Sequence, residues 1–139
     1  MSKALSLTLL LTLCGPVVAA ECHYFWTSDC FDIRDAASRD ITHHVLLSEQ
    51  RFSIPVDTAS QCPAALEQLA EPDHLGKVLK RFNKTLKKLR GCRRLDQLSP
   101  TRFDSAAAAS AEWQRLAREQ DFKTLHLIKR LPEPDPTTP

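Results

Sequence analysis

The side chains in this chain that could do chemistry are five histidines, five cysteines and one dense basic stretch. His43 and His44 are adjacent, and on a helix they point about 100° apart, so they cannot face one metal ion. His23, Cys22, Asp29 and Cys30 can be drawn as a ligand set, but oxidation of the two cysteines removes both thiolates. His74 and His126 have no obvious carboxylate or nucleophile at helical spacing, and Glu67 and Glu71 read as a solvated helix face. The only glycines are Gly15, Gly76 and Gly91, which leaves no phosphate-cradling loop and no nucleophile elbow. Neither an enzyme activity, a metal nor a cofactor is expected, and Trp26 and Trp113 read as core residues.

The basic stretch is the stronger signal. Residues 77–94 hold nine Lys or Arg and no acid, whereas residues 21–73 hold ten acids and three bases, a net charge of −7. A near-neutral chain with so concentrated a stripe points to a directed electrostatic contact rather than general polyanion affinity. The acidic N-terminal half is an equally good internal counterpart. Leu75, Leu79, Phe82, Leu86 and Leu89 recur at intervals of four and three, the seam of a helix packed along a neighbour. Burying those five side chains is worth roughly 7–15 kcal/mol as an upper bound. The opposite arc carries Lys77, Lys80, Arg81, Lys84, Lys87 and Lys88, the expected partner-binding residues. Their expected counterpart is an acidic protein surface, such as that of an extracellular receptor, or an anionic polysaccharide. A helix whose apolar face is needed by the core is not free to enter a bilayer, and the stretch lacks the aromatic platform that nucleic acid would need. Asn83, in "NKT", fits the N-glycosylation pattern and lies to the side of the seam.

Compartment follows from the first twenty residues, "MSKALSLTLLLTLCGPVVAA": one charge, a short apolar run, a Gly15-Pro16 break, and small residues at Val18 and Ala20. That is the pattern of a cleaved secretory signal spanning 1–20, too short to cross a membrane. The product is expected to be secreted, or periplasmic if the source is bacterial. Cys22, Cys30, Cys62 and Cys92 then favour two disulfides, with all three pairings open.

Helical spacing of Ile33, Ala37, Ile41 and Val45 predicts a first helix from Asp32 or Arg34 to about Gln50. "RFSIPVD" alternates but contains Pro55, which makes it a connector or edge strand. "CPAALEQLAE" predicts a second helix, ended by Pro72, and Asp73 begins a third that Gly91 closes. A fourth helical region runs from Ser99 or Asp104 to about Leu131, with a break near Gln120. "PEPDPTTP", residues 132–139, reads as a disordered Pro-rich tail.

In "LKRFNKTLKKLRGC" followed by "AEWQRLAREQDFKTL", residues 75–131 resemble the last two helices of a short-chain four-helix cytokine of the interleukin-three, -four and -thirteen type. That resemblance implies an up-up-down-down bundle and receptor binding. The expected fold is therefore an all-α, disulfide-linked helical bundle over residues 21–131, and the expected function is protein–protein binding as a cytokine-like ligand. The alternative is a bacterial periplasmic inhibitor or immunity-type protein.

Overall fold

The computed structural model describes residues 20–135. The expected signal, save Ala20, and the last four residues of the tail lie outside the described residues. The fold is α+β, which overturns the all-α bundle and the cytokine resemblance with it. Its frame is one long antiparallel hairpin. Strands β1 (Ala20–Phe25) and β2 (Thr27–Asp35) form the outward arm, and β3 (Asp40–Ser48) and β4 (Phe52–Val56) form the return.

The expected first helix is thus a strand, a turn and a strand. Its i, i+4 apolar spacing is a coincidence of a hairpin whose turn falls between Ile33 and Ile41. Asp35 organises that turn, its carboxylate accepting from the Ala37 N–H at 3.0 Å, and Arg39 supplies the left-handed backbone at φ 58°. Glycine ordinarily marks such a position, so an arginine there hides the turn from a sequence reading.

The hairpin bends at Trp26. Tyr24 lies opposite Phe52 and Thr27 opposite Leu47, so residues 25–26 of one arm face residues 48–51 of the other. This mismatch lets the arms part into two sheets, β4-β1-β5 and β2-β3-β6, where β5 is Thr101–Phe103 and β6 is Lys123–Ile128. Ser48, fully buried, ties the bend. Its N–H donates to the Trp26 carbonyl (2.9 Å), while its hydroxyl accepts from the Trp26 N–H (3.1 Å) and donates to the Gln50 carbonyl (2.9 Å).

Three helices cover the sheets. Helix α1 (Cys62–Glu67) is flanked by 3-10 turns at 59–61 and 68–70, and α2 (Pro72–Leu86) is the expected amphipathic helix, with Pro72 in its first turn rather than outside it. Val78, Phe82 and Leu86 of α2 are buried against Tyr24, Trp26, Leu46, Phe52 and Ile128, with Leu75 and Leu89 half-buried beside them. Helix α3 (Ala106–Ala117), capped by the Ser105 hydroxyl, packs on the other side, where the Trp113 indole donates to the Ser48 carbonyl at 2.8 Å. The expected fourth helix therefore stops at Ala117. Phe122, at φ 67°, turns the chain into β6, which runs parallel to β3.

The disulfides are Cys22–Cys62 and Cys30–Cys92. They fasten the outward arm to the helical segment and indicate an oxidising environment. Among the described residues no helix is long and apolar enough to cross a membrane. Residues 132–135 run on from buried Leu131 as irregular chain against β4, α1 and α2.

Two substitutions test this frame by urea unfolding. Ser48→Ala leaves the buried Trp26 N–H without its hydroxyl acceptor and is expected to lose about 1–3 kcal/mol. At Gly91 φ is 81°, and a Cβ would sit 2.7 Å from the Phe31 carbonyl oxygen and 2.9 Å from the Asp32 Cα. Gly91→Ala is therefore expected to destabilise by more than about 1 kcal/mol, and an unchanged midpoint would refute the packing of this segment on β2.

Candidate functional site: a basic groove between helix and strand

Helix α2 presents its bases to solvent because its other side is the core. Lys77, Lys80, Lys84, Lys87 and Lys88 are exposed and Arg81 is half-buried; Lys87 and Lys88 lie just beyond the helix end. Little of the stripe is consumed internally. Arg90 and Arg34 flank the buried Asp32 carboxylate at 3.8 and 3.4 Å, Lys77 pairs with Asp73 at 3.6 Å, and Arg94 lies 4.0 Å from Asp96. Among the described residues Lys80, Arg81, Lys84, Lys87 and Lys88 have no carboxylate at ion-pair distance. Of the acidic N-terminal half, Asp32 and Asp73 reach the stripe, at Arg90 and Lys77, and leave these five bases unpaired among the described residues.

The fold adds two bases that the sequence reading did not assign to the site. A shallow groove of about 290 Å³ runs between α2 and the end of β6, lined by Arg81, Lys84 and Thr85 on one side and by Leu127, Ile128, Lys129 and Arg130 on the other. Lys129 has Glu49 at 4.0 Å, whereas Arg130 has no acidic partner at ion-pair distance among the described residues. Arg130 also sits in the left-handed region at φ 58°, so its direction is fixed by backbone that few residues adopt. Four cations from two elements thus converge on one concavity. No spacing rule joins residues 81–84 to 129–130; the only cue was the "KR" closing the last apolar run. Lys77, Lys80, Lys87 and Lys88 do not line the groove.

The Asn83 side chain is engaged within the fold rather than free at the surface. Its side-chain N–H donates to the Leu95 carbonyl at 2.9 Å and its oxygen accepts from the Leu95 N–H at 2.8 Å, so the nitrogen a glycan would modify brackets the loop after Cys92. That occupation, with the half-burial of the residue, corrects the glycoprotein expectation.

The histidines separate as expected, but by strand alternation rather than helical rotation. His43 stacks on Phe31 with ring centroids 4.4 Å apart and has Nε2 3.0 Å from the Asp29 carboxylate. His44 points to the other face, where its Nδ1 lies 3.0 Å from His126 Nε2, a contact across 82 residues of sequence. His23 lies 3.7 Å from Glu21, and Cys22 and Cys30 are oxidised, so the drawn ligand set does not form. Among the described residues no three His, Cys, Asp or Glu side chains gather as metal ligands.

Burial, and then the neighbouring His44, lower the pKa of His126. Its folded value lies below the unfolded 6.5, so the unfolded chain takes up the proton first. Its contribution to stability is whole above that value and is lost as pH falls below it. Urea midpoints at pH 7 and pH 5 are expected to differ less in His126→Gln than in the native chain; equal differences would refute the lowered pKa of His126. His74, lowered by burial and Lys77, acts in the same direction and keeps some pH dependence in the variant.

No protein-family model matches the chain, and no significant match is found among curated proteins or solved structures, so nothing known supports a cytokine or any other family.

Proposed function

We propose that this is an exported binding protein that captures an acidic protein surface through the groove between α2 and β6. The convergence of Arg81, Lys84, Lys129 and Arg130, with Glu49 the one neutralising carboxylate among the described residues, carries the reading. Such a cluster steers an anionic partner and fixes its register more than it adds raw affinity. The free Lys80, Lys87 and Lys88 extend the same positive field around α2. Export rests on the signal-like first twenty residues and agrees with the oxidised cysteines; the compartment is extracellular, or periplasmic in a bacterium. Two disulfides that fasten one arm of the hairpin to the helical segment favour a rigid surface, which suits an inhibitor or immunity-type protein that plugs an enzyme or toxin.

The test is capture from the source's own exported fraction with the immobilised chain, beside a Lys84→Glu/Lys129→Glu/Arg130→Glu variant. The expected outcome is one dominant acidic partner, released by salt, with affinity reduced about ten-fold or more in the variant and an unaltered urea midpoint. Equal capture of that partner by the variant would refute the groove. Capture of sulfated polysaccharide alone would redirect the reading to that polyanion.

A further inference from the structure

Two histidines that no spacing rule connects are set beside each other by the sheet. In the register of β3 against β6, His126 pairs with Leu46, two residues beyond His44. Directly paired residues share a face, and so do residues two apart, so both imidazoles stand on one face as diagonal neighbours. Their rings are tilted by 41° with centroids 5.2 Å apart, and His44 Nδ1 lies 3.0 Å from His126 Nε2.

A single N–H···N bond closes such a pair and leaves the outer ring nitrogens unused. His44 Nε2 and His126 Nδ1 have no hydrogen-bond partner among the described residues, and neither is sealed from solvent. Both rings are half-buried, which holds them in place without closing them off. Two imidazole nitrogens on one tetrahedral zinc ion, each about 2.0–2.1 Å from the metal, lie roughly 3.3 Å apart. The observed 3.0 Å is close to that bite, so small rotations of the rings admit an ion.

The surroundings favour neutral nitrogen donors. Burial and then His44, with no basic residue contributing, lower the pKa of His126, so its ring is an uncharged ligand at neutral pH. Cys30, opposite His44 in the register, is oxidised and offers no thiolate. Asp32, two residues further along the same face of β2, is held by Arg34 and Arg90. The hydrogen-bonded strands position both rings in advance, so little ordering entropy opposes chelation.

We infer that His44 and His126 form a two-histidine chelate for a divalent transition-metal ion such as Zn2+ or Cu2+, with water in the remaining positions. Imidazole suits these ions, whereas Mg2+ takes oxygen ligands. As the ion enters, the proton that joined the rings moves through solvent to the outer nitrogen of its own ring, and both rings stay neutral. The bound ion then clamps β6 to β3. The chelate uses no residue that lines the basic groove, so failure of either leaves the other standing.

The experiment titrates Zn2+ into the 15N-labelled, disulfide-bonded protein and follows the imidazole nitrogens in long-range 1H–15N spectra, with Mg2+ as control. Zn2+ is expected to saturate with a dissociation constant below about 100 µM. His44 Nδ1 and His126 Nε2 are expected to shift, and the rings of His23, His43 and His74 to stay unchanged. The melting temperature is expected to rise with Zn2+ concentration, since the ion binds the folded pair. His44→Gln and His126→Gln are each expected to weaken binding about ten-fold or more, because one ligand remains, whereas His43→Gln leaves it intact. No saturation up to about 1 mM Zn2+, an equal response to Mg2+, or full affinity in His44→Gln or His126→Gln would overturn the inference. The ring-nitrogen shifts are read on the native chain, so they decide the matter even if a variant fails to fold.

Discussion

The architecture turns on how Ser48 satisfies the backbone where two strands change sheets. A long hairpin that parts into two sheets must break its ladder somewhere, and polar groups freed there are costly unless they are paired. Ser48 spends its N–H, both capacities of its hydroxyl and its carbonyl on Trp26, Gln50 and Trp113. The bend can therefore be dry. A dry bend places Trp26 at the centre of the core and presents Leu46 and Ile128 to α2. The same serine also receives α3 through the Trp113 indole, so both layers of helix refer to one residue.

From that frame the distribution of charge follows. Burying Val78, Phe82 and Leu86 leaves the lysines of α2 no direction but outward. Laying α2 across β6 brings Lys129 and Arg130 beside Arg81 and Lys84. At the start of the same helix, Glu71 and Asp73 join Asp57 and Glu133 around a separate, wider groove bounded by β4 and α1. A chain that is nearly neutral as a whole thus carries a positive concavity and a negative one along a single helix.

How much of this was legible depended on which residues carried the signal. Helix α2 could be read because its apolar residues recur at three and four with charges between them, although the buried line is Val78, Phe82 and Leu86, with Leu75, Leu79 and Leu89 half-buried beside it. The hairpin could not. Strands β1 and β3 are covered on both sides near the bend, so "HYFW" and "VLLS" give continuous runs rather than alternation. The turn between β2 and β3 has no glycine, and Ile33, Ala37, Ile41 and Val45 mimic a helix stripe by chance. The phase slip near Gln120 was a true boundary, but the six residues after Phe122 are too few to separate a strand from a helix by period. On the site, the α2 bases were visible and those of β6 were not, because what unites them is distance in space.

The four cysteines are joined first to third and second to fourth, so the two covalent loops, spanning 40 and 62 residues, interlock. A chain emerging amino end first into an oxidant presents Cys22 and Cys30 together before either mate has arrived. Their mutual bond is the one most readily made and also one the finished molecule does not contain. Reaching the native crossing then requires thiol–disulfide exchange, a process of seconds to hours that an isomerase shortens. The crossing of the two loops thus adds a step slower than collapse of the core.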